Sequence, residues 1–216
     1  MTEDRISPAG ADVKLLAFDV DGTLLRGQTI CECIAAGIGR LGEMQQFEGL
    51  TSKADITVAR EKMISWYRSY DRATLLRHLQ KATLAPGARQ GVLDLKRAGV
   101  QVALVSITWQ FAVEWLATEL GADVAVGTRW RDDGAIDHFW PQSKADYLAD
   151  RAATLGLSPA QIVAVGDSAG DLPMLEFAGA GYYVGRDAPE LPSHVKHWPA
   201  ADIEHIVRDL LSEQTA

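Results

Sequence analysis

Val13-Lys14-Leu15-Leu16-Ala17-Phe18-Asp19-Val20-Asp21-Gly22-Thr23 is the stretch on which the fold turns. Residues 13–18 form a short apolar run interrupted only by Lys14, and the run stops at a carboxylate with Gly22 close behind. A run of that length that ends in a turn reads as a strand buried on both faces. Residues 100–105 repeat the pattern after a helical stretch, 88–98, that Gly99 closes. Residues 162–165 repeat it again, after a helix beginning near Ala145 and the helix-start pair Ser158-Pro159. Shorter strands are predicted at 123–126 and 182–184, and helices at Gln110–Leu120 and Leu172–Phe177. A final helix is marked by Ile203, Ile206, Leu210 and Leu211. Alternating strand and helix place the chain in the α/β class. The expected form is a doubly wound, mostly parallel sheet with helices on both faces and ligands at the carboxyl ends of the strands.

One segment breaks the alternation. Between Gly27 and Ala85 three helical stretches follow one another, marked by Ile30, Ile34, Ile38 and Leu41, by Ile56, Ala59, Met63 and Trp66, and by Leu75, Leu76 and Leu79. No strand is expected there. The division predicted is a core of residues 11–26 and 86–216, and a small all-helical cap, 27–85, inserted after the first strand. The insert carries eight Lys and Arg against six Asp and Glu, the remainder 13 against 23. A mildly basic lid over an acidic core suits an anionic substrate beside a bound cation, and solvated helix faces give the same count.

Composition narrows the function classes. With 47% apolar and 23% charged residues the chain can bury a sizeable core, and 216 residues fit one domain with a small insert. A net charge of −8 disfavours nucleic acid and anionic lipid as partners. The polar opening lacks the apolar core of a secretion signal, and no stretch approaches the roughly 18 apolar residues of a membrane span. A cytoplasmic protein without membrane or nucleic-acid partners is expected, and its oligomeric state is not legible. Cys31 and Cys33, two apart in a helix, read as small apolar fillers.

The chemistry gathers at predicted strand ends. Asp19 and Asp21 diverge in extended geometry, but a turn at Gly22 can bring both toward one ligand. Asp19 then suits a metal-held nucleophile, and Asp21 an acid that protonates a leaving oxygen and later a base that activates water. Thr23 could supply a donor to a phosphate; a surface Asp-Gly turn is the plainer alternative. Ser106, closing the 100–105 strand, is either a phosphate donor or a helix cap. Lys144, in a first helical turn where a cation is mildly unfavourable, is either a partner of phosphate and Asp19 or a solvated lysine. In Gly166-Asp167-Ser168-Ala169-Gly170-Asp171 the carboxylates of Asp167 and Asp171 crowd one strand-to-helix turn, which suits a shared Mg2+ or, more plainly, an N-cap.

Taken in this order, DVDGT, Ser106, Lys144 and GDSAGD resemble the haloacid dehalogenase superfamily, over residues 13–185. The helical insert, VALVS and AVGDSAGDLPMLEFAG are similar to its phosphoserine phosphatase branch. The resemblance implies a Rossmann-like core, Mg2+ as cofactor and an aspartyl-phosphate intermediate. It makes Asp19 nucleophile and metal ligand, and Asp21 acid/base and a metal ligand through its backbone carbonyl. Ser106 and Lys144 then bind phosphate, Asp167 ligates the metal and Asp171 supports that site. Two departures bear on substrate: Gln28 stands where that branch has an amine-reading glutamate, and Ile107 where it has glycine. Arg60 matches its carboxylate-binding arginine in one register and faces solvent in another. The expectation is a phosphatase for a small phosphomonoester other than phosphoserine, selected by the cap. A phosphomutase, or a non-catalytic Mg2+-binding phospho-acceptor, is the alternative.

Overall fold

The computed structural model describes residues 12–213; residues 1–11, where the opening was read for a secretion signal, and 214–216 lie outside the described residues. In chain order the elements are β1 (Leu15–Phe18), β2 (Leu25–Arg26), α1 (Ile30–Gly37), α2 (Leu41–Met44), α3 (Lys53–Tyr67), α4 (Arg72–Leu79) and β3 (Thr83–Leu84). They continue as α5 (Ala88–Arg97), β4 (Gln101–Trp109), α6 (Gln110–Leu120), β5 (Val124–Trp130), β6 (Ile136–Asp137), α7 (Pro141–Leu155) and β7 (Ile162–Gly166). The chain then forms α8 (Leu172–Phe177), β8 (Ala180–Tyr183), β9 (Val195–His197) and α9 (Ile203–Glu213).

Seven strands join in the order β6-β5-β4-β1-β7-β8-β9. All neighbouring pairs are parallel except β5 with β6. β1 is central, and the winding reverses beside it, so its carboxyl end opens onto the crevice where such sheets bind ligands. The continuous apolar runs follow from burial on both faces. Leu16 and Phe18 of β1, Val102 and Leu104 of β4, and Val163 and Val165 of β7 pack one way, with Val92, Leu95, Leu116 and Ile206 of the flanking helices. Leu15, Ala17, Ala103, Val105, Ile162 and Ala164 alternate to the other face, against Leu148 and Ala152 of α7 and Met174 and Leu175 of α8. Phe18 is fully buried in the central strand, and truncation to alanine would cost about 3–5 kcal/mol.

The segment between β2 and β3 is helical, as expected, and its apolar stripes meet. Ile30, Ile34, Met63, Tyr67, Leu75 and Leu79 are buried in one cluster with the sheet's first face. Local chemistry starts each longer helix: Thr29 accepts from the Glu32 amide, Ser52 from Asp55 and Asp71 from Thr74.

Several boundaries differ from the sequence reading. β2 and β3 pair antiparallel as a two-residue ribbon at the root of the helical segment, too short to show a period. β6 and β9 are short for the same reason. β4 does not stop at Val105; it runs to Trp109 through a register shift, which puts Ser106 inside the strand rather than at its end. Helix α7 starts at Pro141, where proline's missing N–H costs nothing, so Lys144 lies at the end of the first turn. Among the described residues no helix is long and apolar enough to cross a membrane.

Candidate active site

β1 delivers Asp19 to the carboxyl edge of the sheet, its amide donating to Val165 O of β7 (2.9 Å). The chain then folds tightly, with the Leu24 and Leu25 amides both donating to Val20 O (2.9 Å each). Gly22 sits in this turn at φ +89°, and a Cβ there would overlap the Asp167 carboxylate. Glycine therefore satisfies both a left-handed backbone and a close approach. Gly166 serves the second approach, since a Cβ there would overlap the Asp171 side chain.

Lys144 links the two edges. Its Nζ donates to Asp19 Oδ1 (2.6 Å) and to Asp171 Oδ1 (2.5 Å), and all three side chains are buried. Burial alone would lower the lysine pKa, but Asp171 and Asp19 outweigh it and hold the ammonium charged. The solvated-lysine alternative is excluded. Asp171 Oδ2 accepts from the Asp167 amide (3.1 Å), the Ser168 amide (3.0 Å) and the Ser168 hydroxyl (3.0 Å). That locks the carboxylate and the turn together.

Asp21 lines the same cavity as Asp19 but is held apart from this network: its Oδ1 accepts from the Ile30 amide (2.7 Å) at the start of α1. Burial raises its carboxyl to about 7, against the opposing pull of the Ile30 N–H and Lys144. A carboxyl poised there can both give and take a proton near neutrality.

Asp19, Asp167 and Asp171 bring one carboxylate oxygen each to within 4.8 Å of one another. Among the described residues Lys144 is the cation that pairs with them, so three ionised carboxylates there carry about two negative charges in surplus. The strain is visible in protonation: burial and the neighbouring Asp171 push Asp19 well up, and burial with Asp171 raises Asp167 to about 6. Hard oxygens, partly buried and short of positive charge, fit a hard divalent cation.

The other predicted site residues divide. Ser106 is buried and lines the cavity, with Oγ accepting from the Thr108 amide (3.2 Å). Thr23 is buried but directs its hydroxyl to Asp167 Oδ1 (3.2 Å), so it orients a carboxylate instead of facing the cavity. Gln28 is exposed and stands outside the cavity lining. Arg60 does line the cavity and is 5% exposed.

The cavity, about 410 Å³, lies between the sheet edge and the helical segment. Its residues that were not singled out include Thr108, in the unforeseen continuation of β4, and Ser168, in the Asp167 turn. Cys31, read as a filler, lines the cavity with Sγ 3.4 Å from Thr108 Oγ1; burial pushes its thiol up to about 12, so it stays neutral. Cys33 is the buried filler expected.

Known proteins resemble this chain over most of its length. Residues 16–176 fit the family model of haloacid dehalogenase-like hydrolases. A phosphoserine phosphatase of Albidiferax ferrireducens is 30% identical over 184 residues, covering 78% of this chain and 77% of its own. One from Polaromonas sp. is 31% identical over 190 residues, with 78% of each covered. A solved structure of a phospho-aspartyl intermediate analogue of phosphoserine phosphatase superposes with a TM-score of 0.74 at 25% identity, over 92% of this chain and 99% of that one. On the extent of these matches and the sheet that carries them, the chain belongs to the haloacid dehalogenase-like hydrolase family, in the company of its phosphoric monoester hydrolases.

Proposed function

We propose that the protein is a Mg2+-dependent phosphatase that hydrolyses a small phosphomonoester through an aspartyl-phosphate on Asp19. The observation that carries this is the pairing, in one cavity, of an Asp19 held by Lys144 with a separate Asp21 whose carboxyl is raised to about 7. The first is fixed for attack and deprived of water; the second is free to move a proton.

In the reaction, an Asp19 carboxylate oxygen bonds to phosphorus as the bond from phosphorus to the ester oxygen breaks, and Asp21 gives its proton to the departing alkoxide. Asp21, now ionised, takes a proton from water; the water oxygen bonds to phosphorus, inorganic phosphate leaves and the Asp19 carboxylate is restored. Lys144 and the Ser106 hydroxyl supply positive charge and a hydrogen bond to the phosphoryl oxygens. Asp19, Asp167 and the Asp21 backbone carbonyl would hold Mg2+, with Asp171 fixing Lys144 and the Asp167 turn; the ion would offset the charge of the transferring group. Thr23 acts by orienting Asp167.

On substrate, the uncharged Gln28 outside the cavity and Ile107 beside Ser106 support a phosphomonoester other than phosphoserine. The activity named for the relatives makes phosphoserine the competing reading. Phosphate release from a panel of phosphorylated amino acids, sugars, nucleotides and simple alcohols tests both. Release that stops with a chelator and returns with Mg2+ is expected; release that ignores the chelator contradicts the metal's role.

A further inference from the structure

Ile107 is 37% exposed while Ser106 and Thr108 on either side are buried. Its carbonyl is held twice, by Arg60 Nη2 (2.8 Å) and by Thr128 Oγ1 (2.9 Å), and Ile107 lines the cavity next to Ser106. Trp109 continues that wall, and Met44, Phe47, Ile56 and Met63 face it from the helical segment.

The cation on this side is already engaged. Arg60 gives Nη2 to Ile107 O and to Phe139 O (3.2 Å), gives Nη1 to His138 Nδ1 (2.9 Å), and stacks its plane 4.7 Å over Trp140. Two carbonyls, an imidazole and a ring consume most of its bonding capacity, so it ties α3 to the sheet edge. The charged group left on this side of the cavity is Glu48, exposed at the rim, which repels a second anion and, screened by water there, attracts an ammonium only weakly.

We infer that this wall is an apolar subsite for the leaving group, that it takes the phosphomonoester of an uncharged alkyl or aryl alcohol, and that Ile107 selects for it. Arg60 is a positioning residue rather than a carboxylate receptor. The inference rests on the phosphatase reading above and adds the substrate class to it.

The test compares kcat/KM for methyl, propyl and pentyl phosphate with that for O-phosphoserine and O-phosphoethanolamine. All five leave as primary alkoxides or nearly so, which keeps intrinsic reactivity close. The wild-type enzyme should gain about three- to fivefold per added methylene and prefer pentyl phosphate to both amine-bearing esters by at least about tenfold. Ile107→Gly should cut the pentyl-to-methyl ratio by about tenfold, with Ile107→Val intermediate. Ile56→Ser on the opposite, partly exposed wall should lower the same ratio, which keeps the test intact where Ile107→Gly fails to fold. A flat chain-length series, or preference for phosphoserine or phosphoethanolamine, overturns the apolar subsite and leaves the phosphatase standing. Release from none of the five overturns the apolar subsite, and release from no member of the wider panel above overturns the phosphatase reading with it.

Discussion

The two walls of the cavity are built on different physics. The sheet wall is ionic and directional: Lys144 spans 2.6 Å to Asp19 and 2.5 Å to Asp171, and Asp171 is fixed by three further donors. The helical wall is apolar, with Met44, Phe47, Ile56 and Met63 held by packing, and with its one buried cation turned back onto the protein. Directional networks tolerate few substitutions, because each removed partner strands another buried charge. Apolar contacts are interchangeable at similar volume. On the proposed function, chemistry is fixed by the ionic network at the sheet edge, and selection is left to the apolar lining of both walls, Ile107 included, which can change.

The comparison breaks most clearly at Asp19. Asp19→Asn should lower phosphate release by about 10⁴-fold or more, the order seen when a nucleophile is removed; measurable turnover within tenfold of wild type would dismiss it as nucleophile. Lys144→Met should follow, since it leaves Asp19 and Asp171 buried without a cation, at a cost of about 3–5 kcal/mol. Denaturant unfolding in chelator reads that loss, and Mg2+ should recover more stability in the variant than in wild type. Equal recovery would mean that the ion and Lys144 do not share these carboxylates.

Asp21→Asn should reduce kcat by about 100-fold or more while calorimetry finds Mg2+ binding retained. Loss of both together would make Asp21 a structural group of the α1 start. The smallest effect is expected in the helical segment. Ser52→Ala removes the side chain that caps α3 and should cost about 1 kcal/mol, read as a drop of about 2–4 °C in Tm. A loss as large as that of Lys144→Met would erase the distinction between the walls.

How legible each wall was in the sequence follows from the same contrast. Strands β1, β4 and β7 are continuous apolar runs because both faces are covered, and they stand out in one dimension. Asp19, Asp21, Asp167 and Asp171 were visible because a carboxylate at the end of such a run is out of place unless it has a task. Lys144 was ambiguous by itself, since its burial depends on Asp19, 125 residues away. Thr23 was ambiguous for a similar reason: only the fold reveals that Asp167, 144 residues on, takes its hydroxyl. The helical wall offered less. Met44, Phe47, Ile56 and Met63 have the same spacing whether they face a core or a cavity, and the extension of β4 to Trp109 was hidden by the polar Ser106 and Thr108 inside it. Arg60 could be placed in either of two registers from sequence; its bonds to Ile107 and Phe139 resolve its setting.

The central claim is that Asp19 carries the phosphoryl group. Acid-quenching the enzyme during turnover with Mg2+ and its best ester, then mapping the modified peptide by mass, tests this directly. One phosphoryl group on Asp19, absent from Asp19→Asn, is the predicted result. Turnover at full rate with no covalent adduct, or an adduct on another residue, would contradict it.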